Sequence, residues 1–130
     1  MTTVDTNVLL RIIVGDDERQ AARASACLDK QDQIFVPKTV LLEAEWVLRG
    51  TYHLRRADIL LAFRLFLDVK NVEAEDGSAV AQALRWYEHG MDFADSLHLA
   101  SGGPEYEFVT LDAALQRIAR RLQIRKVIGL

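Results

Sequence analysis

A chain of 130 residues fits one domain, and with half of them hydrophobic it can bury a core and is not disordered. A net charge of −3 excludes nonspecific attraction to nucleic acid through bulk charge, though not a local basic patch. The single cysteine, Cys27, excludes an internal disulfide and has no His/Cys cluster around it for zinc, which fits a reducing, cytoplasmic setting.

The chain opens "MTTVDTNVLL". Thr2 to Val4 reads as a first strand, and Val8 to Val14 as a short buried helix stopped by Gly15. Asp5 interrupts any reading of this start as a secretory leader, and no apolar stretch approaches the roughly 18 residues of a bilayer span. A second helix opens at Asp16-Asp17-Glu18, where acids complement the helix dipole. It runs to about Asp29 with Ala21, Ala24, Cys27 and Leu28 on one face. Ile34-Phe35-Val36 is a continuously apolar strand, as expected when both faces are covered.

Pro37 suits the first turn of a helix that carries the stripe Val40, Leu41, Ala44, Val47 and Leu48 and ends near Gly50. Arg56 to Leu67 is a further helix, Val69 to Val72 a weak strand, and Asp76 to Glu88 a helix broken by Gly90. Asp92 to Ala100 is a short helix closed by Ser101-Gly102-Gly103-Pro104. Phe108 to Thr110 is a strand, Ala113 to Leu122 a helix, and Lys126 to Ile128 a last strand.

Strands alternating with helices predict an α/β fold in three layers, α/β/α, around a central, mostly parallel, roughly five-stranded sheet, in a single domain over 1–130. Ligands of such sheets bind beyond the carboxyl ends of the strands. Asp5 ends the first strand and Asp112 lies just past the strand 108–110. Glu43 sits on the helix after the second strand, on or near its apolar stripe. Asp92 and Asp95 begin "DFADSLHLA" at a spacing that shares a helix face. If these elements converge at one edge, four carboxylates face one another. Each would raise the others' pKa, and a hard divalent cation on oxygen ligands resolves that repulsion.

Each acid also has a structural reading. Asp5 can cap the helix that follows, Asp-x-x-Asp ahead of an apolar run makes Asp92 a cap, and Asp112 suits a first helical turn. Asp95 is therefore placed against the cation in preference to Asp92. Glu43 resists a structural reading because Leu41, Leu42 and Val47 surround it, whereas Glu45 reads as a solvated neighbour.

At these residues the sequence resembles the PIN-domain family and, within it, the VapC-type toxins of bacterial and archaeal toxin–antitoxin pairs. The matching blocks are "VDTNVLLR" at 4–11, "VPKTVLLEAEWVLR" at 36–49, "DFADSLHLA" at 92–100 and "FVTLDAALQR" at 108–117, in the family's order along the whole chain. The resemblance implies an acidic quartet of Asp5, Glu43, Asp95 and Asp112, with Asn7 and Thr110 supporting it and Asp92 at a more variable acidic position. It implies a Mg²⁺- or Mn²⁺-dependent endoribonuclease in which the carboxylates hold the metal and a metal-activated water attacks phosphorus. It also implies a homodimer and a small VapB-like antitoxin that blocks the cleft.

Several residues remain outside the quartet. Arg117, Arg120, Arg121, Arg125 and Lys126 read as a solvated basic helix end or, alternatively, as an RNA-backbone track. Arg11, Lys38 and Arg49 are further RNA-binding candidates nearer the acidic blocks. Trp46, Trp86, Phe63 and Phe66 read as core or dimer interface. His53, His89 and His98 show no mutual ligand spacing, and His98 reads as packing on its helix. Ser96 and Ser101 lack a matched His for nucleophilic chemistry.

Other functions fit less well. A haloacid-dehalogenase-like phosphatase would use Asp5 as a covalent nucleophile, but wants a second Asp where Asn7 stands and more chain for a cap. A receiver module needs a phosphoacceptor Asp at the end of a central strand, and "IFVPK" offers none. A non-catalytic PIN scaffold would bind metal or antitoxin without turnover.

Overall fold

A computed structural model describes residues 1–130, in two compact units, Met1–Glu75 and Asp76–Leu130. The first unit runs β1 (Thr2–Thr3), α1 (Thr6–Val14), α2 (Glu18–Asp29), β2 (Ile34–Val36), α3 (Lys38–Gly50), α4 (Arg56–Leu67) and β3 (Val72–Ala74). Its three strands pair in the order β1-β2-β3, all parallel, with Thr2 opposite Ile34 and Ile34 opposite Val72. Helices flank this sheet because each parallel step needs a crossover, here α1–α2 and then α3–α4.

The second unit runs α5 (Gly77–Glu88), α6 (Phe93–Ser101), β4 (Phe108–Thr110), α7 (Ala113–Arg121) and β5 (Val127–Gly129), with β4 and β5 parallel. The α/β class and the parallel strands are as the sequence predicts. The five strands are hydrogen-bonded as a three-stranded and a two-stranded sheet, and β1, with two residues, offers little ladder.

The cores follow the apolar periodicities. Leu9, Ile34, Val36, Leu41, Leu48, Ile59 and Phe63 are fully buried in the first unit. In the second, Met91, Leu99 and Leu115 form a cluster against which Trp86, Phe108 and Ile118 pack, while Tyr87 meets Phe93 edge to face. Gly15 ends α1 in the left-handed region (φ 66°), where its N–H donates to Arg11 O at 3.1 Å. No helix is long and apolar enough to cross a membrane.

Several expectations need correcting. The third strand is Val72–Ala74 instead of Val69–Val72, because residues 68–71 turn out of α4. Val69 N–H donates back to Phe66 O, and the Asn71 amide donates to Leu28 O and Gln31 O. The buried face of α3 is Leu41, Ala44, Glu45 and Leu48, so Glu45 lies inside and Glu43 is exposed. Glu45, expected to be solvated, is 2% exposed and takes a two-pronged bond from Arg49, at 2.9 and 3.3 Å. Trp46 is 66% exposed, on the side of α3 away from that buried face, whereas Phe63 and Phe66 are core. His98 is exposed too, and Cys27 is exposed on α2, whose one buried residue is Leu28.

Candidate functional site

Asp5 leaves β1 in extended conformation and caps α1, its Oδ1 accepting from Val8 N–H at 3.1 Å. Since β1 and β2 are parallel neighbours, their carboxyl ends lie at one edge, and α1 and α3 both begin there. That shared edge brings Glu43, in the second turn of α3, to the same small cavity as Asp5. The cavity holds about 310 Å³ and is lined by Asp5, Thr6, Asn7, Thr39, Val40 and Glu43. Asn7, the expected supporting residue, is on it. Thr39, which sequence reasoning passed over, is there too. The signal was available, because Thr39 lies one turn before Glu43 on the same helix face.

The second unit holds the other acids. Asp92 caps α6, its Oδ2 accepting from Asp95 N–H at 3.1 Å, while the Asp92 carbonyl accepts from the Ser96 hydroxyl at 2.8 Å. Asp112 caps α7, its Oδ1 accepting from Ala114 and Leu115 N–H at 2.9 and 3.1 Å. Thr110 Oγ1 accepts from Asp112 N–H at 3.0 Å, which ties the start of α7 to the end of β4. Asp95 is half-buried, and its carboxyl is pushed above the usual aspartate range. Burial is the main cause, the like charges of Asp92 and then Asp112 add to it, and His98 opposes it.

Asp5 and Asp112 each give one oxygen to a helix start and keep the other unengaged, and no hydrogen bond holds either oxygen of Glu43 or Asp95. Free carboxylate oxygens, with amide and hydroxyl groups beside them, are the donor set of a hard divalent cation, and the repulsion felt by Asp95 is of the kind a cation relieves. Asp5 and Glu43 belong to the first unit, Asp95 and Asp112 to the second, and no group of three or more His, Cys, Asp or Glu side chains is gathered to hold a metal.

The candidate RNA-binding cations are variously engaged. Arg11 pairs with Asp16 at 3.1 Å, and Arg49 is held by Glu45. The backbone N–H of Lys38 donates to Glu75 Oε1 at 2.9 Å. Arg117 is exposed on α7.

Compared with known proteins, residues 2–121 match the model of the PIN domain. Neither a curated protein nor a solved structure matches the chain.

Proposed function

Because the chain belongs to the PIN-domain family, a family of nuclease folds, we propose that it is a metal-dependent endoribonuclease acting as one PIN-like domain over 1–130. The finer reading is the toxin of a VapBC-like toxin–antitoxin pair, cytoplasmic and homodimeric, restrained by a small antitoxin. The four sequence blocks and their order along the chain support it. The observation that carries the nuclease reading is the presence of Asp5 and Glu43 on one cavity at the carboxyl edge of the parallel sheet.

In this reading Asp5, Glu43, Asp95 and Asp112 hold Mg²⁺ or Mn²⁺. When bound, the cation supplies Lewis acidity at the phosphate and a more acidic water. The cap bond from Val8 N–H fixes the rotamer of Asp5, so that its second oxygen has a defined direction. Asn7 and Thr39 put an amide and a hydroxyl on the same cavity, where they can donate to phosphate oxygens. Thr110 fixes the backbone of Asp112, and Asp95 or Asp112 orients the attacking water.

The test is incubation of purified protein with cellular RNA and MgCl₂ or MnCl₂, followed by sequencing of the new ends. Cleavage at defined sites that stops with EDTA and with Asp5→Asn is expected. Intact RNA under both metals would reduce the protein to a binding scaffold.

A further inference from the structure

We infer that a groove along α2 is the track that carries the RNA backbone to Asp5, with Arg23, Lys30 and Arg11 receiving its phosphates. The inference rests on the nuclease reading above and names the surface through which that site would meet its substrate.

A second cavity of the first unit, about 880 Å³, shares Asp5 and Asn7 with the acidic cavity, so the two adjoin at the start of α1. One wall of it is a single stripe of α2 and its exit: Gln20, Arg23, Ala24, Cys27, Lys30 and Gln31. These positions fall at the i, i+3, i+4, i+7 spacing of one helix face. Small side chains, Ala24 and Cys27, occupy the middle of the stripe and long polar ones its ends, which makes the surface concave. Of the face that the sequence marks as apolar, Leu28 is buried, whereas Ala24 and Cys27 border the groove and are not.

The charge of the groove runs against that of the chain. Net charge is −3 overall, yet the groove sets three cations, Arg11, Arg23 and Lys30, against one acid, Asp5. Arg11 also pairs with Asp16, whereas the side chains of Arg23 and Lys30 have no ion-pair partner. Arg23 and Lys30 are two turns apart, about 10 Å along the axis, which suits successive bonds to one strand. The remaining polar lining, Asn7, Gln20 and Gln31, supplies amides that donate to phosphate and sugar oxygens.

Val8 is the one large aliphatic side chain in the lining, and no aromatic side chain is present. Such a surface does not grip the apolar face of a partner helix. It has no platform on which a base can stack, so it reads the backbone and tolerates any sequence.

The single Cys27 lies in the groove and is exposed, which makes it a native probe. A saturating single-stranded RNA, with EDTA present to prevent turnover, should slow alkylation of Cys27 by iodoacetamide severalfold. Poly-glutamate at equal charge should not. In parallel, the double variant Arg23→Glu/Lys30→Glu should raise KM for RNA cleavage by about tenfold or more with kcat nearly unchanged, the signature of weakened uniform binding. It should also flatten the salt dependence of RNA binding by roughly 0.7 in log–log slope for each phosphate left without its cation.

Both positions are exposed, so thermal melts should match those of the unaltered protein. Arg19→Glu makes one such charge reversal on the same helix outside the groove and should leave KM within about twofold, where either single reversal inside the groove should raise it further. An enzyme that cleaves RNA while Cys27 stays unprotected and the double variant keeps its KM overturns the groove and leaves the nuclease reading standing. Equal protection by poly-glutamate also overturns it, in favour of an acidic protein segment. If the protein cleaves nothing, the nuclease reading falls, and RNA protection of Cys27 still decides the groove separately.

Discussion

In the first unit, Asp5 and Glu43 reach one cavity because two parallel strands end at the same edge and their helices start there. In the second, Asp92 and Asp112 are fixed by the first turns of their own helices, and Asp95 sits half-buried among like charges. The first arrangement depends on pairing residues about thirty positions apart in sequence, the second mostly on neighbours. Common to both is a capping acid, Asp5 or Asp112, to which the proposed nuclease reading gives two tasks. One oxygen builds the fold, and the other, unengaged, is assigned to chemistry. Asparagine separates the tasks, because it caps a helix about as well as aspartate but carries no charge.

The largest expected effect uses that separation. Asp5→Asn should keep the bond from Val8 N–H and leave stability nearly unchanged, while RNA cleavage falls on the order of 10²–10³-fold in kcat. Asp5→Ala should lose as much activity and about 1 kcal/mol of stability besides. Steady-state cleavage assays beside urea melts distinguish the two variants. An asparagine variant that cleaves normally would leave Asp5 with only its structural task.

The two acids of α3 draw the same contrast within one helix. Glu43 is exposed on the cavity, whereas Glu45, two residues on, is buried and paired. Glu43→Gln should cost activity on the order of 10²-fold at constant stability. Arg49→Ala withdraws a charged partner from the buried Glu45 carboxylate and should cost about 2 kcal/mol with little effect on catalysis. Chemical denaturation and kinetics on the same preparations test both. A stable Arg49→Ala protein would show that the pair contributes nothing to the fold.

A smaller effect is expected at Thr110. Thr110→Val removes the acceptor for Asp112 N–H and should lower activity by about tenfold through misplacement of Asp112. Full activity in this variant, with Asp112→Asn inactive, would mean that the caps at Ala114 and Leu115 suffice to place Asp112.

Much of this was legible in the sequence because it is local. Gly15 and the capping aspartates name their own structures through turn chemistry. The rule that ligands gather beyond strand carboxyl ends singled out Asp5 and Asp112, and both stand just past the ends of β1 and β4. Misreadings arose where a period leaves a choice of phase. The stripe of α3 fits with either Glu43 or Glu45 near its margin, and the ion pair to Arg49 puts Glu45 inside. In α2 the period marks a face of small residues, but such a face does not reveal whether a protein core or a groove lies beyond it. The displacement of β3 came from side-chain bonds of Asn71 to distant carbonyls, which no local pattern encodes.

The smallest effect isolates the electrostatic asymmetry of the second unit. The Asp95 carboxyl titrates above its ordinary value of 3.8, so the folded state holds this proton more tightly than the unfolded chain does. Ionised Asp95 therefore costs stability at neutral pH, and the cost disappears as pH falls through the raised pKa toward the ordinary value. In EDTA, Asp95→Asn should melt slightly above the unaltered protein at pH 7, with the gap closing toward pH 3.8. Asp112→Asn should recover less of it, since burial outweighs the like charges as the cause. Adding Mg²⁺ should invert the order, because a cation that binds the folded state alone raises the melting temperature of the protein that keeps the carboxylate. Equal Mg²⁺ shifts in the unaltered protein and Asp95→Asn would remove Asp95 from the metal site, while leaving its pH signature as a property of the α6 start alone.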